Sequence, residues 1–340
     1  MTAQAGVRHA TIADVAERAG VSIATVSRVL NRTARVSDET AARVQKAIDE
    51  LGFVPQAAAR HLASRKTSTI GLLLPEVSSQ FFFPILQGIE AATRQAGFDL
   101  LIAIQPEEQA RQLVHSQLGT HNTDGLLIFG GLADSPSLAQ FTRLNFPVVL
   151  LYQAAPPGSG ITSIQIENKN GAHRLVSHLI EVHGARRIAF LRGPQGNQDS
   201  GWRETGYRQA LVDHQIEFDP RLVEPGNFSE QGGRAAVERL LKNGIQLDAI
   251  FAGDDGTAIG ALAALNQAGL RVPEDVALAG FDDIPPSRYL NPPLTTVRAP
   301  TEQVGHAAVK QLVRRIRTGQ ADAEVLLPTE LVIRQSCGCK

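Results

Sequence analysis

The sequence predicts an all-α helix-turn-helix head followed by an α/β core of two doubly wound parallel-sheet subdomains. Three observations carry this. Residues 11–52 hold three short segments with apolar residues at helical spacing, punctuated by Gly20 and closed by Gly52. From Thr67 onward, short runs rich in Leu, Ile and Val alternate with segments of helical spacing, the pattern of buried parallel strands joined by helices. Those runs are too many for one ordinary sheet, so two are expected side by side.

The head reads element by element. Thr11 and Asp14 fit the start of a helix in which Ile12, Val15, Ala16 and Ala19 form one apolar face. Gly20 sits where a helix ends in a left-handed cap. Ser22 can cap a second helix, with Val26, Val29 and Leu30 inward, Thr25, Ser27 and Arg28 off that stripe, and Asn31 at its end. A third helix runs from Ser37 through Ala41, Val44, Ala47, Ile48 and Leu51. Two short helices, a turn with Gly and a support helix make a helix-turn-helix, whose second helix projects its N-terminal end. A plain three-helix bundle satisfies the same pattern. Pro55 then breaks the run, and QAAARHLASRK follows, with Leu62 flanked by Arg60, Arg65 and Lys66. That segment is too short to be stable as an isolated helix. It reads either as a solvated linker or as a helix that forms on DNA and drives Leu62 into the minor groove as a wedge.

Charge divides along the same line. The chain has 340 residues and a net charge of −1, but residues 1–66 carry ten Lys/Arg against six Asp/Glu. A basic head on an acidic body suits a polyanion partner at one end. There is no apolar leader and no window of about 18 apolar residues, so neither secretion nor a membrane span is expected. Two cysteines one residue apart make no disulfide framework, which fits a cytoplasmic protein.

In the core, TIGLLLP, FDLLIAI, DGLLIF, PVVLLY, RIAFLRG, DAIFAGD, DVALAGFDD and ELVIR read as strands. Ligands of such sheets sit outside the carboxyl ends of the strands, and two sheets with facing ends would make a cleft. Asp254 and Asp255, Asp282 and Asp283, Arg203, Phe81, Phe82 and Phe228 fall near those ends. Carboxylates, a guanidinium and aromatic faces suit a sugar or nucleobase-like effector. Each has a plainer role open to it. Asp254 can cap its helix, Asp282–Asp283 can satisfy a turn, Phe81–Phe83 can be core, and Trp202 can be packing. Cys337 and Cys339, with no histidine at ligand spacing nearby, fall short of a zinc site. His173, His178 and His183 recur every five residues, which scatters them around a helix as surface groups. No metal and no resident cofactor are expected.

The strings TIADVAERAGVSIATVSRVLN, VS-x-x-T with VQKAIDELGFVP, and AARHLA resemble the LacI/GalR (lactose/galactose/purine repressor) family. SSQFFFPILQGIE, VSHLIEVHGARRIAFLRGP, GYRQAL, FAGDDGTAIGALAALNQAGLRVPEDVALAGFDD and LTTVRAP carry the likeness along nearly the whole chain. The resemblance implies a ligand-responsive, allosteric transcriptional regulator, a repressor that binds a near-palindromic double-stranded operator as a homodimer, with a periplasmic-binding-protein-like core. It implies a DNA-binding domain over 1–54, a hinge helix over 55–66, and a core over 67–340. The core's N-subdomain would take about 67–167 plus 298–325, and its C-subdomain about 168–297 plus 326–340.

The resemblance also implies site residues. Ile23, Ala24, Thr25, Ser27 and Arg28 would face the operator, with Thr11, Ser22, Asn31 and Ala59 completing the set and Leu62 as the wedge. The chemistry is coherent. Ile23 and Ala24 offer apolar contact to a thymine methyl, Thr25 and Ser27 suit phosphates, and Arg28 can reach a guanine edge or a phosphate, or simply be exposed to solvent. Phe81, Phe82, Arg203, Phe228, Asp254 and Asp282 would contact the effector, with Asn197 and Asp199 in support. Departures from the family pattern are Gln56 for Asn, Glu167 for Asp, and Tyr152 for Asp at a further effector position. Two other readings compete: a carbohydrate-active or phosphate-transfer enzyme using Asp254 and Asp282, and a sugar-binding receptor. No P-loop, nucleophile elbow or HExxH motif supports an enzyme, and the basic head argues against a transport receptor.

Overall fold

In the computed structural model the described residues are 10–31, 34–53, 67–106 and 118–340, in two compact units that divide at Thr67/Ser68. The connector 55–66, with Ala59 and Leu62, lies outside them. The first unit contains helices α1 (Ile12–Ala19), α2 (Ile23–Asn31) and α3 (Asp38–Leu51). Thr11 and Asp14 form a reciprocal cap: Thr11 N donates to the Asp14 carboxylate at 2.7 Å, and Asp14 N donates to Thr11 Oγ1 at 3.3 Å. Gly20, at φ +65°, takes the left-handed conformation that frees the chain to turn into α2. Val15, Val26 and Val44, one from each helix, are fully buried together. Arg18 and Glu50 tie α1 to α3 at 2.6 Å, a surface pair worth at most about 1 kcal/mol. Thr11→Ala is expected to cost about 1 kcal/mol, seen as lost hydrogen-exchange protection confined to α1–α3 of the full chain. Unchanged protection would mean that the cap is redundant.

The second unit is built on two sheets. The first contains β1 (Thr69–Leu74), β2 (Asp99–Ile104), β3 (Gly125–Phe129), β4 (Val148–Leu151), β5 (Thr162–Ile166) and β11 (Glu324–Leu327), in the order β11-β5-β4-β3-β1-β2, all parallel. The second contains β6 (Ile188–Arg192), β7 (Val223–Pro225), β8 (Ala249–Ala252), β9 (Ala277–Asp282), β10 (Thr295–Arg298) and β12 (Glu330–Val332), in the order β12-β10-β9-β8-β6-β7. Only β12 runs antiparallel to its neighbour. Both sheets reverse their strand order beside the first strand, which opens a crevice at their carboxyl ends. The central strands are buried on both faces, as their unbroken apolar runs require: Ile70, Leu72, Leu127, Val149, Phe190, Phe251 and Phe281 are all at 0% exposure. The edge strand β2 is different, with Leu101, Ile102 and Ile104 between 40% and 48% exposed.

Helices α4 (Phe82–Ala96), α5 (Ser135–Arg143), α6 (Asn168–His183), α7 (Gln198–Asp213), α8 (Glu230–Lys242), α9 (Asp255–Gln267) and α10 (Thr301–Thr318) cover the sheets. In α4 and α10 backbone meets backbone: a Cβ on Gly88 would lie 2.1 Å from the Glu302 carbonyl oxygen. The chain passes between the sheets three times, after β5, after β10 and after β11. In the last passage Leu326 and Leu327 pair with Gln165 and Ile166, so the first sheet takes its edge strand from residues 324–327. No helix among the described residues is long and apolar enough to cross a membrane.

Candidate functional site

Two regions gather the residues singled out from sequence. On the head, Ser22 caps α2 by accepting from Thr25 N at 3.2 Å, and its hydroxyl lies 2.9 Å from that of Thr25. Burying Val26 turns the opposite face outward. Ile23 is 51% exposed, Thr11, Ser22, Ala24 and Arg28 are exposed, and Thr25 and Ser27 are half-buried. Asn31 ends the helix backbone. An apolar pair at the helix start, ringed by hydroxyls and a guanidinium, has the composition that meets base edges and phosphates together.

In the second unit the strand ends bring charge and aromatic surface together. Arg203, on α7, is 2% exposed. Its Nε donates to Asn168 Oδ1 at 2.8 Å, one terminal nitrogen to the Gly253 carbonyl at 2.5 Å, and the other to Asp282 Oδ1 at 2.9 Å. Its guanidinium lies 3.8 Å over the Phe281 ring and 5.5 Å from that of Phe228. A guanidinium has five N–H groups, so two remain for a ligand. Asn168 also donates to Asp199 at 2.8 Å, which makes a chain Asp199–Asn168–Arg203–Asp282. From the first sheet come Phe81, Phe82, Phe129 and Tyr152, with Phe129 centred 5.2 Å from Tyr152 and 5.1 Å from Phe82. The Tyr152 hydroxyl is buried without a hydrogen-bond partner. Tyr152, Phe228 and Asp282 all have positive φ, at 57°, 53° and 98°. Strained backbone of this kind persists where surrounding structure holds it, and it gathers at binding sites.

Burial dominates the electrostatics. It pushes the Asp199 carboxyl up to about 7, against the pull of Arg203. Burial likewise lifts Asp282 to about 6, again opposed by Arg203. It raises Tyr152 well above the usual phenol range, and the charges of Asp282 and Asp199 add to this. Asp199 and Asp282 therefore hold protons more tightly folded than unfolded. Their contribution to stability is complete below the ordinary carboxylate range, near 3.8, and is lost as pH rises through about 6 to 7. In Asp199→Asn, the melting temperature is expected to fall less than in the parent between about pH 5 and pH 8. Parallel curves would show that Asp199 is ionised throughout.

The fold separates the candidates by role. Arg203, Asp199, Asp282 and Tyr152 are electrostatically coupled, with Phe81 against Tyr152 and Phe228 against Arg203. Phe82 is part of the hydrophobic core and backs the aromatic group. Asp254 and Asn197 cap α9 and α7, accepting from Thr257 N and Ser200 N at 3.0 Å. Burial raises the Asp254 carboxyl as well. Asp255 and Asp283 are engaged elsewhere. Asp255 accepts from Ser287, Thr296 and Ile284 N, and Asp283 from Arg298 and Arg334. Trp202 is 49% exposed. Sequence reasoning passed over Phe129, Phe281 and the bridging role of Asn168. Only the position of Phe129 at the end of a strand run could have flagged it. A groove of about 850 Å³, lined in part by Asn168, Gln198, Trp202 and Leu326, contains none of the nine candidates. Converging buried charge and a partnerless hydroxyl favour the strand ends over that groove.

One expectation is corrected outright. His178 and His183 do not scatter; their rings lie 5.2 Å apart, next to Cys337 and Cys339. His173 stands apart and pairs with Asp213 at 2.8 Å.

Residues 11–56 match the family described as bacterial regulatory proteins, lacI family, and residues 176–337 match a periplasmic binding protein-like domain. The HTH-type transcriptional regulator CelR of Thermobifida fusca is 36% identical over 339 residues, covering 97% of this chain and 98% of that one. A solved transcriptional regulator CelR–cellobiose complex shares 34% identity at a TM-score of 0.72, covering 96% and 99%. A lac repressor dimer bound to operator and the anti-inducer ONPF aligns at a TM-score of 0.84 and 28% identity, covering 97% and 99%.

Proposed function

The chain belongs to the lacI family of bacterial regulatory proteins, and from that premise we propose that it represses transcription as a two-fold dimer whose operator affinity is set by a sugar bound at the strand ends of its core. The observation that carries the effector site is the pairing of buried Arg203 and Asp282, from one subdomain, with the partnerless Tyr152 hydroxyl, from the other. A sugar satisfies both sides at once. Its vicinal hydroxyls donate to Asp282 and accept from Arg203 and Tyr152, and its ring faces lie against Phe81, Phe129 and Phe228. The relative solved with cellobiose supports the same class.

The regulator reading also accounts for the carboxylates an enzyme would need. Asp255 and Asp283 hold backbone and side chains in place, and Asp254 starts a helix. On the head, Ile23 and Ala24 would touch base edges, Arg28 a guanine or phosphate, and Thr11, Ser22, Thr25, Ser27 and Asn31 the backbone of the duplex. Residues 55–66 are proposed from their sequence to fold on the operator, with Leu62 entering the minor groove beside Ala59. A ligand that bridges the two subdomains biases their relative pose, and by linkage the operator must alter sugar affinity by the same factor that sugar alters operator affinity.

A thermal-shift and calorimetry series with cellobiose, ribose, nucleosides and their phosphates tests the class, because binding to the native state raises apparent stability. Tyr152→Phe tests the site. Removing a hydroxyl that has no protein partner is expected to leave stability unchanged or slightly raised, while sugar affinity drops about tenfold. Unchanged affinity would place the sugar elsewhere.

A further inference from the structure

The C-terminal end of the chain brings four metal-ligating side chains to one point. His178 and His183 lie on the last two turns of α6, while Cys337 ends a short 3-10 turn (Gln335–Cys337) and Cys339 follows it. Cys337 Sγ is 3.6 Å from His178 Nε2. Cys339 Sγ is 3.7 Å from His178 Nε2 and 3.4 Å from His183 Nε2. All four ligand atoms lie within 4.8 Å of one another. We propose that His178, His183, Cys337 and Cys339 form a tetrahedral zinc(II) site that fastens the end of the chain to α6.

The spacing matches the ion. Zn–S bonds of about 2.3 Å and Zn–N bonds of about 2.0–2.1 Å at tetrahedral angles place S and N about 3.6 Å apart, so the three S···N separations already outline the edges of such a polyhedron. Two thiolates and two imidazoles select zinc over magnesium or calcium, which prefer oxygen. The histidine spacing is within the usual range for zinc ligands, and a full protein ligand set marks a structural site, not a catalytic one. Gly338 makes the short Cys-x-Cys turn possible. Its φ of +105° belongs to glycine, and a Cβ there would press on the His183 ring at 3.1 Å from Nδ1. Beyond the four ligands, Thr295 Oγ1 lies 3.1 Å from Cys337 Sγ as a donor, the kind of outer contact that steadies a coordinated thiolate. Thr295 begins β10 of the second sheet, so the metal would anchor the last residues to that sheet as well as to α6.

The test uses the full-length protein, reduced and stripped of metal with a chelator, then titrated with cobalt(II) and afterwards with zinc(II). The expected result is one cobalt per chain, with the visible bands of tetrahedral coordination and thiolate-to-metal charge transfer, both erased by zinc. Zinc should also protect the two thiols from a thiol reagent. Cys339→Ser and His183→Gln change half-exposed residues and spare the core. Each is expected to weaken cobalt binding by more than the roughly 10–100-fold that follows loss of an outer partner, while far-UV circular dichroism and sugar binding stay as in the parent. Absence of the tetrahedral spectrum, thiols equally reactive with and without zinc, or a spectrum that survives both substitutions would overturn the proposal.

Discussion

Arg203→Ala is expected to destabilise the core by about 3–5 kcal/mol and to abolish the response to effector. The size follows from what the side chain leaves behind. Its guanidinium is the charge partner of Asp282, a donor to Asn168 and to the Gly253 carbonyl, and it lies against the Phe281 ring. Removing it strands two buried carboxyls, Asp199 and Asp282, which Arg203 now pulls toward the ionised form. A buried pair gives little net stability compared with apolar residues of similar volume, whereas half of a pair is costly. Arg203→Met combined with Asp282→Leu is therefore expected to recover most of the lost stability and none of the sugar binding. Chemical denaturation and calorimetry on the two variants separate these effects. If Arg203→Ala were as stable as the parent, the hydrogen-bond chain through Asn168 would not exist in solution.

Operator affinity is expected to fall by about a thousandfold or more between roughly 50 mM and 200 mM salt, if the dimer neutralises about six phosphates or more. In the proposed reading the basic head supplies the charge, and the hydroxyls around Ile23 and Ala24 would supply neutral phosphate ligands. Arg28→Ala should make the plot of log affinity against log salt shallower, by about one for each phosphate that is no longer neutralised. Ile23→Ala should instead leave the slope alone and narrow the gap between operator and random DNA, because touching a thymine methyl carries sequence information and no charge. Fluorescence anisotropy across a salt series measures both. A response indifferent to salt would exclude duplex DNA as the partner.

How much of this was legible in the sequence depends on the range of the interaction. The head was readable because its signals are local: the Thr11–Asp14 cap, Gly20 and the apolar spacing that buries Val15 and Val26 act within a turn or two. The sheets were readable because strands buried on both faces must be apolar throughout. The same rule misreads β2, whose run is as apolar as the others but whose Leu101, Ile102 and Ile104 stand at a sheet edge, half-uncovered in a single chain. Arg203 could be chosen as a candidate, but its partners lie 35, 50 and 79 residues away, and no periodicity reports them. Asp254 and Asn197 were ambiguous for a physical reason: a side chain that suits a ligand hydroxyl also suits the free N–H groups of a helix start. The histidine–cysteine cluster was missed for the same reason of range, since His178 and Cys337 are 159 residues apart.

The order of strands has a consequence for how the protein is made. The first sheet borrows its outermost strand, β11, from residues 324–327, and the second takes its own from 330–332. Residues 324–327 and 330–332 must be polymerised before the first and second halves, respectively, can be finished, so until then the nascent protein carries open sheet edges. A stop codon ahead of residue 324 would leave both halves incomplete together, and the product would be a substrate for proteases in place of a shorter functional regulator.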